Sequence, residues 1–277
     1  MNNREKRGQI AKETLKILEQ GYFFTPNNEK IDIEAIQKAA EANVKAYSPA
    51  NSDELLQQIN IQPLDHPTEI KVTNQTTLDA VRDLISEGDD DVLCLNFASA
   101  RNPGGGFLGG SQAQEESIAR STGLYNTQMK AFIYYETNRA VKSCIYTDYM
   151  IYSPNIPIIK YEDGKNLDRL MTCSVITAPA VNMGVVKHRE PKKIPTIEGI
   201  MKRRIEKVLA IALSNNHKNL VLGAWGCGVF QNNPNDIAKY FKEVIDNKFP
   251  NAFRKIIFAI YAKNPRFIQP FYNEFGV

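Results

Sequence analysis

The chain has 277 residues, of which 43% are hydrophobic and 23% charged, and its formal net charge is +3. These values are ordinary for a globular protein with a sizeable core, and so small a positive charge argues against a protein that coats nucleic acid. No apolar run approaches the roughly 18 residues of a membrane span, and the polar start lacks the apolar core of a signal peptide. We therefore expect a cytoplasmic protein.

The first 65 residues show mainly helical patterns. Apolar residues at helical spacing predict one helix that ends at Gly21, a second around Ile33 to Ala40 and a third that begins at Ser52. The segment 62–67 contains two prolines and predicts a connection. We therefore divide the chain into an N-terminal helical extension, residues 1–65, packed on a main domain, residues 66–277.

Strand and helix patterns alternate through the main domain. The predicted strands are 70–72, 92–97, 150–152, 156–160, 171–178, 220–222 and 255–261. The predicted helices are 76–86, 196–214 and 235–247, with others beginning near Gln112 and after the last strand. This order predicts an α/β sheet with helices on both faces. Ligands of such sheets bind at the carboxyl ends of the strands.

A glycine-rich loop follows the apolar strand 92–97 and contains Gly104, Gly105, Gly106, Gly109 and Gly110. Ordering so many glycines is costly, which favours a functional reason for them. Backbone N–H groups in such a loop, just before a helix, can converge on a phosphate. The loop lacks the Gly-Lys-Ser or Gly-Lys-Thr of a Walker A motif and the downstream acidic residue of a dinucleotide fingerprint. The glycines Gly104, Gly106 and Gly109 match a dinucleotide fingerprint only weakly, and a Walker A loop is excluded.

The predicted helix after this loop carries Gln114, Glu115 and Glu116. Carboxylates repel phosphates, so two of them beside an anion site indicate chemistry there and not additional binding. Neighbouring helical residues point about 100° apart, so the carboxylates of Glu115 and Glu116 leave the helix in different directions.

Three glycines, a short spacer and Gln-Glu-Glu resemble the signature of poly(ADP-ribose) glycohydrolases of the bacterial type, whose catalytic domain is a macrodomain. Segments 146–154, 177–182 and 222–232 are similar to that branch in the same order. The resemblance implies a macrodomain-like mixed sheet sandwiched between helices. It also implies that the enzyme hydrolyses the ribose–ribose O-glycosidic bond from chain ends, needs no cofactor and releases ADP-ribose.

By the same resemblance, Glu116 is the general acid and base, and we assign Glu115 to positioning the ribose. The glycine-rich segments 104–110 and 223–228 both follow predicted strands, so they are expected to face each other across one crevice and hold a diphosphate. Val229 and Phe230 are expected to line the terminal ribose site. The remaining candidate ligand-binding residues are Asn102, Gly105, Gly106, Gln114, Gly223, Gly226 and Gly228.

Two contacts stay open at this stage. The macrodomain pattern Asn-Ala-Ala-Asn is replaced here by Asn96-Phe-Ala-Ser99, so the ribose-binding side chain is Asn96, Ser99 or Asn102. The aromatic residue beside adenine is expected near the end of the last strand, as Tyr261 or Phe267, although either residue also suits the core.

The four cysteines and three histidines show no metal-ligand spacing, so we expect no metal. Basic runs at 187–193 and 202–204 suit either polymer phosphates or a solvated helix face.

We expect a monomer that acts on poly(ADP-ribose) or ADP-ribosylated macromolecules. One alternative is an enzyme that removes single ADP-ribose units from protein or nucleic acid. The other is a macrodomain that only binds ADP-ribose, against which the two glutamates argue.

Overall fold

The computed structural model describes residues 2–277 and shows a mixed sheet between two layers of helices. The strands are Tyr22–Phe24 (β1), Lys30–Asp32 (β2), Lys45–Tyr47 (β3), Glu69–Thr73 (β4), Val92–Phe97 (β5), Met150–Lys160 (β6), Asn166–Ala178 (β7), Asn219–Leu222 (β8) and Lys255–Ala259 (β9). The α-helices are Asn3–Gln20 (α1), Glu34–Ala42 (α2), Pro49–Gln58 (α3), Thr77–Ser86 (α4), Gln114–Ser121 (α5), Leu124–Lys130 (α6), Ile133–Ala140 (α7), Met183–Arg189 (α8), Ile197–Ser214 (α9), Pro234–Lys248 (α10) and Gln269–Phe275 (α11).

Within residues 2–277, the main sheet has seven strands in the order β3-β6-β7-β5-β8-β9-β4. The strands β7, β5, β8, β9 and β4 run parallel to one another, whereas β6 is antiparallel to both of its neighbours. Parallel strands end at the same edge of a sheet, so the loops after β5, β8 and β9 emerge together. This edge is where an α/β sheet binds its ligands.

The central strand β5 contributes to a core on each face of the sheet. Leu93 and Leu95 join apolar residues of α9, α10 and α11. Val92 and Cys94 join the other core, which contains apolar residues of α1, α2, α4 and α5. Because alternate residues of a strand point to opposite faces, an almost continuous apolar run is what a strand buried on both faces requires. The predicted sheet with helices on both faces is confirmed.

The first 65 residues contain three short strands besides the predicted helices. The strands β1 and β2 form a hairpin, and β3 pairs antiparallel with β6 at one edge of the main sheet. Each spans three residues, which is too short for an alternating pattern to stand out from the sequence. The first helix ends where predicted, because Gly21 adopts φ +80° at its C-terminus.

Several boundaries in the second half differ from the sequence prediction. The two predicted segments 150–152 and 156–160 form one strand, β6, whose register shifts between Ser153 and Ile156 around Pro154. A bulge accommodates a proline that the regular ladder would exclude. The strand β7 begins at Asn166 and not at 171, and β9 ends at Ala259 and not at 261. The helices α6, α7 and α8 were not predicted.

Candidate active site

The carboxyl ends of β5, β8 and β9 meet at Gly223. A Cβ atom at this glycine would lie 2.6 Å from the carbonyl oxygen of Ala259 and 2.9 Å from Cζ of Phe97. These distances are much shorter than ordinary van der Waals contacts, so the backbone after β8 lies too close to its neighbours to leave room for a side chain. The two predicted glycine-rich segments, 104–110 and 223–228, therefore leave the sheet at one edge.

The first glycine loop bends back against the start of α5. Gly104 and Gly105 adopt φ +61° and +59°, a backbone conformation that residues with a side chain rarely adopt. A Cβ atom at Gly105 would lie 2.4 Å from Oε1 of Glu116 and 3.1 Å from Oε2 of Glu115. The loop therefore lies directly against both carboxylates, and Gly105 must be glycine for this contact to exist.

The carboxylate of Glu116 is held by one oxygen only. Its Oε1 accepts a hydrogen bond from the backbone N–H of Gly106 at 2.9 Å. Its Oε2 is buried and has no hydrogen-bond partner within residues 2–277. A buried polar atom without a partner is costly and is found most often where function requires it. One oxygen of Glu116 is therefore oriented by the loop, while the other is buried and makes no hydrogen bond to residues 2–277.

The carboxylate of Glu115 is instead surrounded by protein donors. It accepts hydrogen bonds from the backbone N–H of Ser99 at 2.7 Å and from the side-chain amides of Asn96 and Gln128, both at 3.2 Å. Burial raises the pKa of Glu115 to about 8, against the opposing effect of these donors. Glu115 thus links β5, the first loop and α6.

Gln114 joins the start of α5 to the end of β5. Its Oε1 accepts the backbone N–H of Phe97 at 2.8 Å, and its Nε2 donates to the carbonyl of Leu95 at 2.7 Å and to Thr77 Oγ1 at 3.1 Å. Sequence reasoning placed Gln114 at the ligand. The structure shows that its amide is also engaged with backbone and with α4, which fixes the helix that carries both glutamates.

Gln128 has a comparable role that the sequence did not reveal. Its Oε1 accepts the N–H of Gly104 at 2.7 Å while its Nε2 donates to Glu115. The residue is fully buried. A single glutamine in a helical segment carries no motif, so no sequence signal distinguished it. Its amide bridges the glycine loop and Glu115.

The three candidate ribose-binding side chains are placed differently. Asn96 is fully buried and donates to Glu115 and Thr177. The hydroxyl of Ser99 accepts two backbone N–H groups, those of Arg101 and Asn102. The side chain of Asn102 is exposed. Of the three, Asn102 has the exposed side chain, whereas Ser99 is half-buried.

The second glycine loop presents a bare backbone and two apolar side chains. Gly226 adopts φ +74°, and a Cβ atom at Gly228 would meet nothing within 4 Å. Val229 follows with 79% of its surface exposed. The Phe230 ring lies beside the Tyr146 ring, with centroids 6.1 Å apart. Tyr146 itself adopts φ +63°, an unusual conformation for a bulky residue that tends to occur near functional sites.

A cavity of about 780 Å³ lies at this edge of the sheet, between α4, α5 and the loops after β8 and β9. Its lining includes Gln114, Gly228 and both candidate adenine neighbours, Tyr261 and Phe267. Within residues 2–277 the lining does not include Glu116 or Phe230. The volume is within the range of small-molecule sites.

One of the two basic runs, at 202–204, is engaged in ion pairs within the protein. Arg204 is 1% exposed and pairs with Asp148 at 2.8 Å, and Lys202 pairs with Glu198 and Glu243 at 2.5 Å. Arg203 pairs with Asp53 at 2.9 Å. Lys187, in contrast, lines a smaller cavity of about 620 Å³ beside the second glycine loop. The run at 202–204 is therefore part of an ion-pair network.

Across the described part of the chain, no cluster of three or more His, Cys, Asp or Glu residues has the geometry to hold a metal ion. None of the helices in residues 2–277 is long and apolar enough to cross a membrane. Cys94 and Cys173 are buried in the strands β5 and β7. Burial also raises the pKa of the Cys227 thiol far above its usual range, which disfavours a nucleophilic thiolate.

The fold and the site together define a macrodomain-like α/β protein, with a glycine loop and paired glutamates at the carboxyl edge of its sheet. The family model described as "Microbial-type PARG, catalytic domain" matches residues 11–161, and PARG stands for poly(ADP-ribose) glycohydrolase. The chain belongs to this family of hydrolases. No curated protein matches the sequence significantly.

Solved structures of bacterial poly(ADP-ribose) glycohydrolases resemble 86% or more of this chain. The enzyme from Thermomonospora curvata is 35% identical, with a TM-score of 0.93 over 98% of this chain and 99% of that one. The same enzyme bound to the inhibitor ADP-HPD gives 35% identity and a TM-score of 0.90 over 97% and 99% of the two chains. The Deinococcus radiodurans enzyme in complex with ADP-ribose is 37% identical, with a TM-score of 0.82 over 86% and 96%.

Proposed function

We propose that the protein hydrolyses the ribose–ribose O-glycosidic bond of poly(ADP-ribose) and that Glu116 carries both proton transfers. The carboxylate of Glu116 supports this assignment most directly. One oxygen is fixed by Gly106 at 2.9 Å and the other has no partner within residues 2–277. A general acid needs a fixed position and an oxygen that can carry the proton, and the buried Oε2 of Glu116, which makes no hydrogen bond to residues 2–277, suits this role.

In the proposed reaction, protonated Glu116 gives its proton to the glycosidic oxygen of the leaving ribose. The bond between that oxygen and the anomeric carbon breaks, and the electron pair leaves with the oxygen as a hydroxyl. The ionised carboxylate then takes a proton from water, whose oxygen bonds to the anomeric carbon. The net change is the addition of one water molecule, and Glu116 returns to its protonated state.

The other candidate residues suit binding roles around this centre. Glu115, with its three protein donors, positions the ribose indirectly by fixing the loop and the start of α5. The bare backbone around Gly228 suits the diphosphate, and the accessible side chain of Asn102 suits a ribose hydroxyl. For adenine we assign the part of the cavity beside Tyr261 and Phe267, whose rings provide flat apolar faces.

Phe230 is assigned to the wall of the terminal ribose site. Its ring is supported by Tyr146, so it has a packing partner that holds it beside the second loop. A closed wall there admits only the end of a polymer, so single ADP-ribose units are the expected products.

We also retain the division into an extension, residues 1–65, and a main domain, residues 66–277. The pairing of β3 with β6 supports close packing of the two.

The experiment that tests this function compares two substrates. Purified protein is incubated with poly(ADP-ribose) and, separately, with mono-ADP-ribosylated protein, and free ADP-ribose is quantified over time. Release from the polymer at a much higher kcat/KM supports the proposal. Release from the mono-modified protein alone would favour the mono-ADP-ribosyl hydrolase. Tight binding of ADP-ribose without release from either substrate would indicate a binding module.

A further inference from the structure

Three arginines hold three consecutive carbonyls at the end of the first glycine loop. The Nε–H of Arg4 donates to the carbonyl of Gly109 at 2.9 Å, and the Nε–H of Arg7 donates to the carbonyl of Gly110 at 2.8 Å. Arg120 donates from a terminal nitrogen to the carbonyl of Ser111 at 2.8 Å. Two of these arginines belong to α1 and the third to α5, the helix that carries the glutamates.

The backbone of α1 also lies against the same segment. A Cβ atom at Gly110 would lie 2.0 Å from the carbonyl oxygen of Arg4, and one at Gly8 would lie 3.3 Å from the carbonyl oxygen of Leu108. Ala11 of α1 packs with Phe107 and Ala119 in a small apolar cluster. The first turns of α1 are therefore in contact with the loop along most of its second half.

A short series of hydrogen bonds leads from these carbonyls to the catalytic carboxylate. The N–H groups of Gly109 and Ser111 both donate to the carbonyl of Gly106, at 3.0 and 3.2 Å. The N–H of Gly106 then donates to Oε1 of Glu116 at 2.9 Å. Peptide planes are rigid, so fixing the carbonyl of Gly110 orients the N–H of Ser111 in the same plane. Fixing the carbonyl of Gly109 likewise orients the N–H of Gly110, which donates to the carbonyl of Phe107 at 3.0 Å.

From these contacts we infer that Arg4 and Arg7 are positioning residues for the reaction: α1 clamps the glycine loop so that Gly106 can orient Glu116. Neither arginine touches the carboxylate, and both act through the loop. The inference rests on the proposed function for its effect on rate. Its effect on the loop can be measured independently of any activity. A loop of five glycines has many accessible conformations, so contacts with α1 can restrict its conformational freedom.

The test is the double variant Arg4→Gln/Arg7→Gln, with Lys12→Gln/Lys16→Gln as its matched control. The control removes the same charge from exposed positions of the same helix. Amide hydrogen exchange is followed in peptides covering 104–111 and, for comparison, α10. We expect at least tenfold faster exchange across 104–111 in the arginine variant alone, with α10 unchanged, because local opening is controlled by local contacts.

Steady-state kinetics with poly(ADP-ribose) provide the second measurement. We expect kcat to fall about tenfold with a smaller change in KM, because a mobile Gly106 no longer orients Glu116 in the transition state. The variant Arg4→Lys/Arg7→Lys should recover part of both losses, and it also serves if the glutamine variant does not fold. Unchanged exchange across 104–111 in folded Arg4→Gln/Arg7→Gln protein would overturn the inference. Equal effects in the Lys12→Gln/Lys16→Gln control would also overturn it. If the unmodified protein shows no activity, the proposed function fails while the exchange result still decides the clamp.

Discussion

The contact between Gly105 and Glu116 gives the sharpest structural prediction, which concerns Gly105→Ala. The added Cβ would lie 2.4 Å from Oε1 of Glu116, whereas ordinary contact begins at 3.4 Å. The carboxylate must therefore retreat by about 1 Å, and a displacement of that size costs on the order of 100-fold in rate. The positive φ adds a stability cost of about 1 to 2 kcal/mol.

Gly88→Ala is the matched control for the stability term. Gly88 also has a positive φ, +98°, but a Cβ atom there would meet nothing within 4 Å. Gly88→Ala measures the stability cost of a positive φ alone, and Gly105→Ala is expected to lose at least as much stability in urea denaturation. Only Gly105→Ala is expected to lose kcat, measured as initial ADP-ribose release at saturating polymer. A folded Gly105→Ala enzyme with kcat within twofold of the unmodified protein would refute the assigned contact.

Three further predictions concern pH, the ribose wall and metal ions. Burial raises the pKa of Glu115 from 4.5 to about 8, so the folded state binds this proton more tightly than the unfolded state does. The stabilisation of the fold by this proton is fully present below about pH 4.5 and is lost as the pH rises through 8. Between pH 5 and 8, the free energy of unfolding of the unmodified protein should fall relative to that of Glu115→Gln by up to about 1.4 kcal/mol per pH unit, measured by urea titration. Parallel pH profiles of the two proteins would contradict this. Phe230→Ala should weaken ADP-ribose binding by about 1 to 3 kcal/mol in calorimetry through lost ring burial, and abundant early oligomers from the unmodified enzyme would show that the wall is absent. Activity should survive EDTA, and loss restored by a divalent ion would reveal a required metal.

The sequence predicted the parts of the fold that rest on regular patterns. The apolar run 92–97 is a buried central strand, and the helix predicted at 196–214 is observed as Ile197–Ser214. The short strands β1, β2 and β3 were missed because three residues carry no usable periodicity. The single long strand β6 was divided in two because Pro154 interrupts its pattern, while the actual chain bulges around it.

In the site, residues close to the glycine loop in sequence could be predicted, whereas residues that reach the loop through tertiary contacts could not. Gln114, Glu115 and Glu116 follow the glycine loop in sequence, so their proximity to it could be inferred. Gln128 and the arginines of α1 reach the loop only through folding, since the Arg4 contact spans 105 residues and the Arg7 contact spans 103. No composition or spacing rule connects residues so far apart. The different environments of the two glutamates also depend on donors from other elements.

The central claim is that Glu116 carries the proton transfers, and Glu116→Gln tests it most directly. The amide keeps the shape of the side chain and removes the proton that is transferred, so kcat on poly(ADP-ribose) should fall to less than about 3% of its original value. The affinity for ADP-ribose, measured by calorimetry, should stay within about tenfold. Glu19→Gln, at an exposed position of α1, is the control and should change neither quantity. A folded Glu116→Gln variant that retained a larger share of kcat would contradict the account.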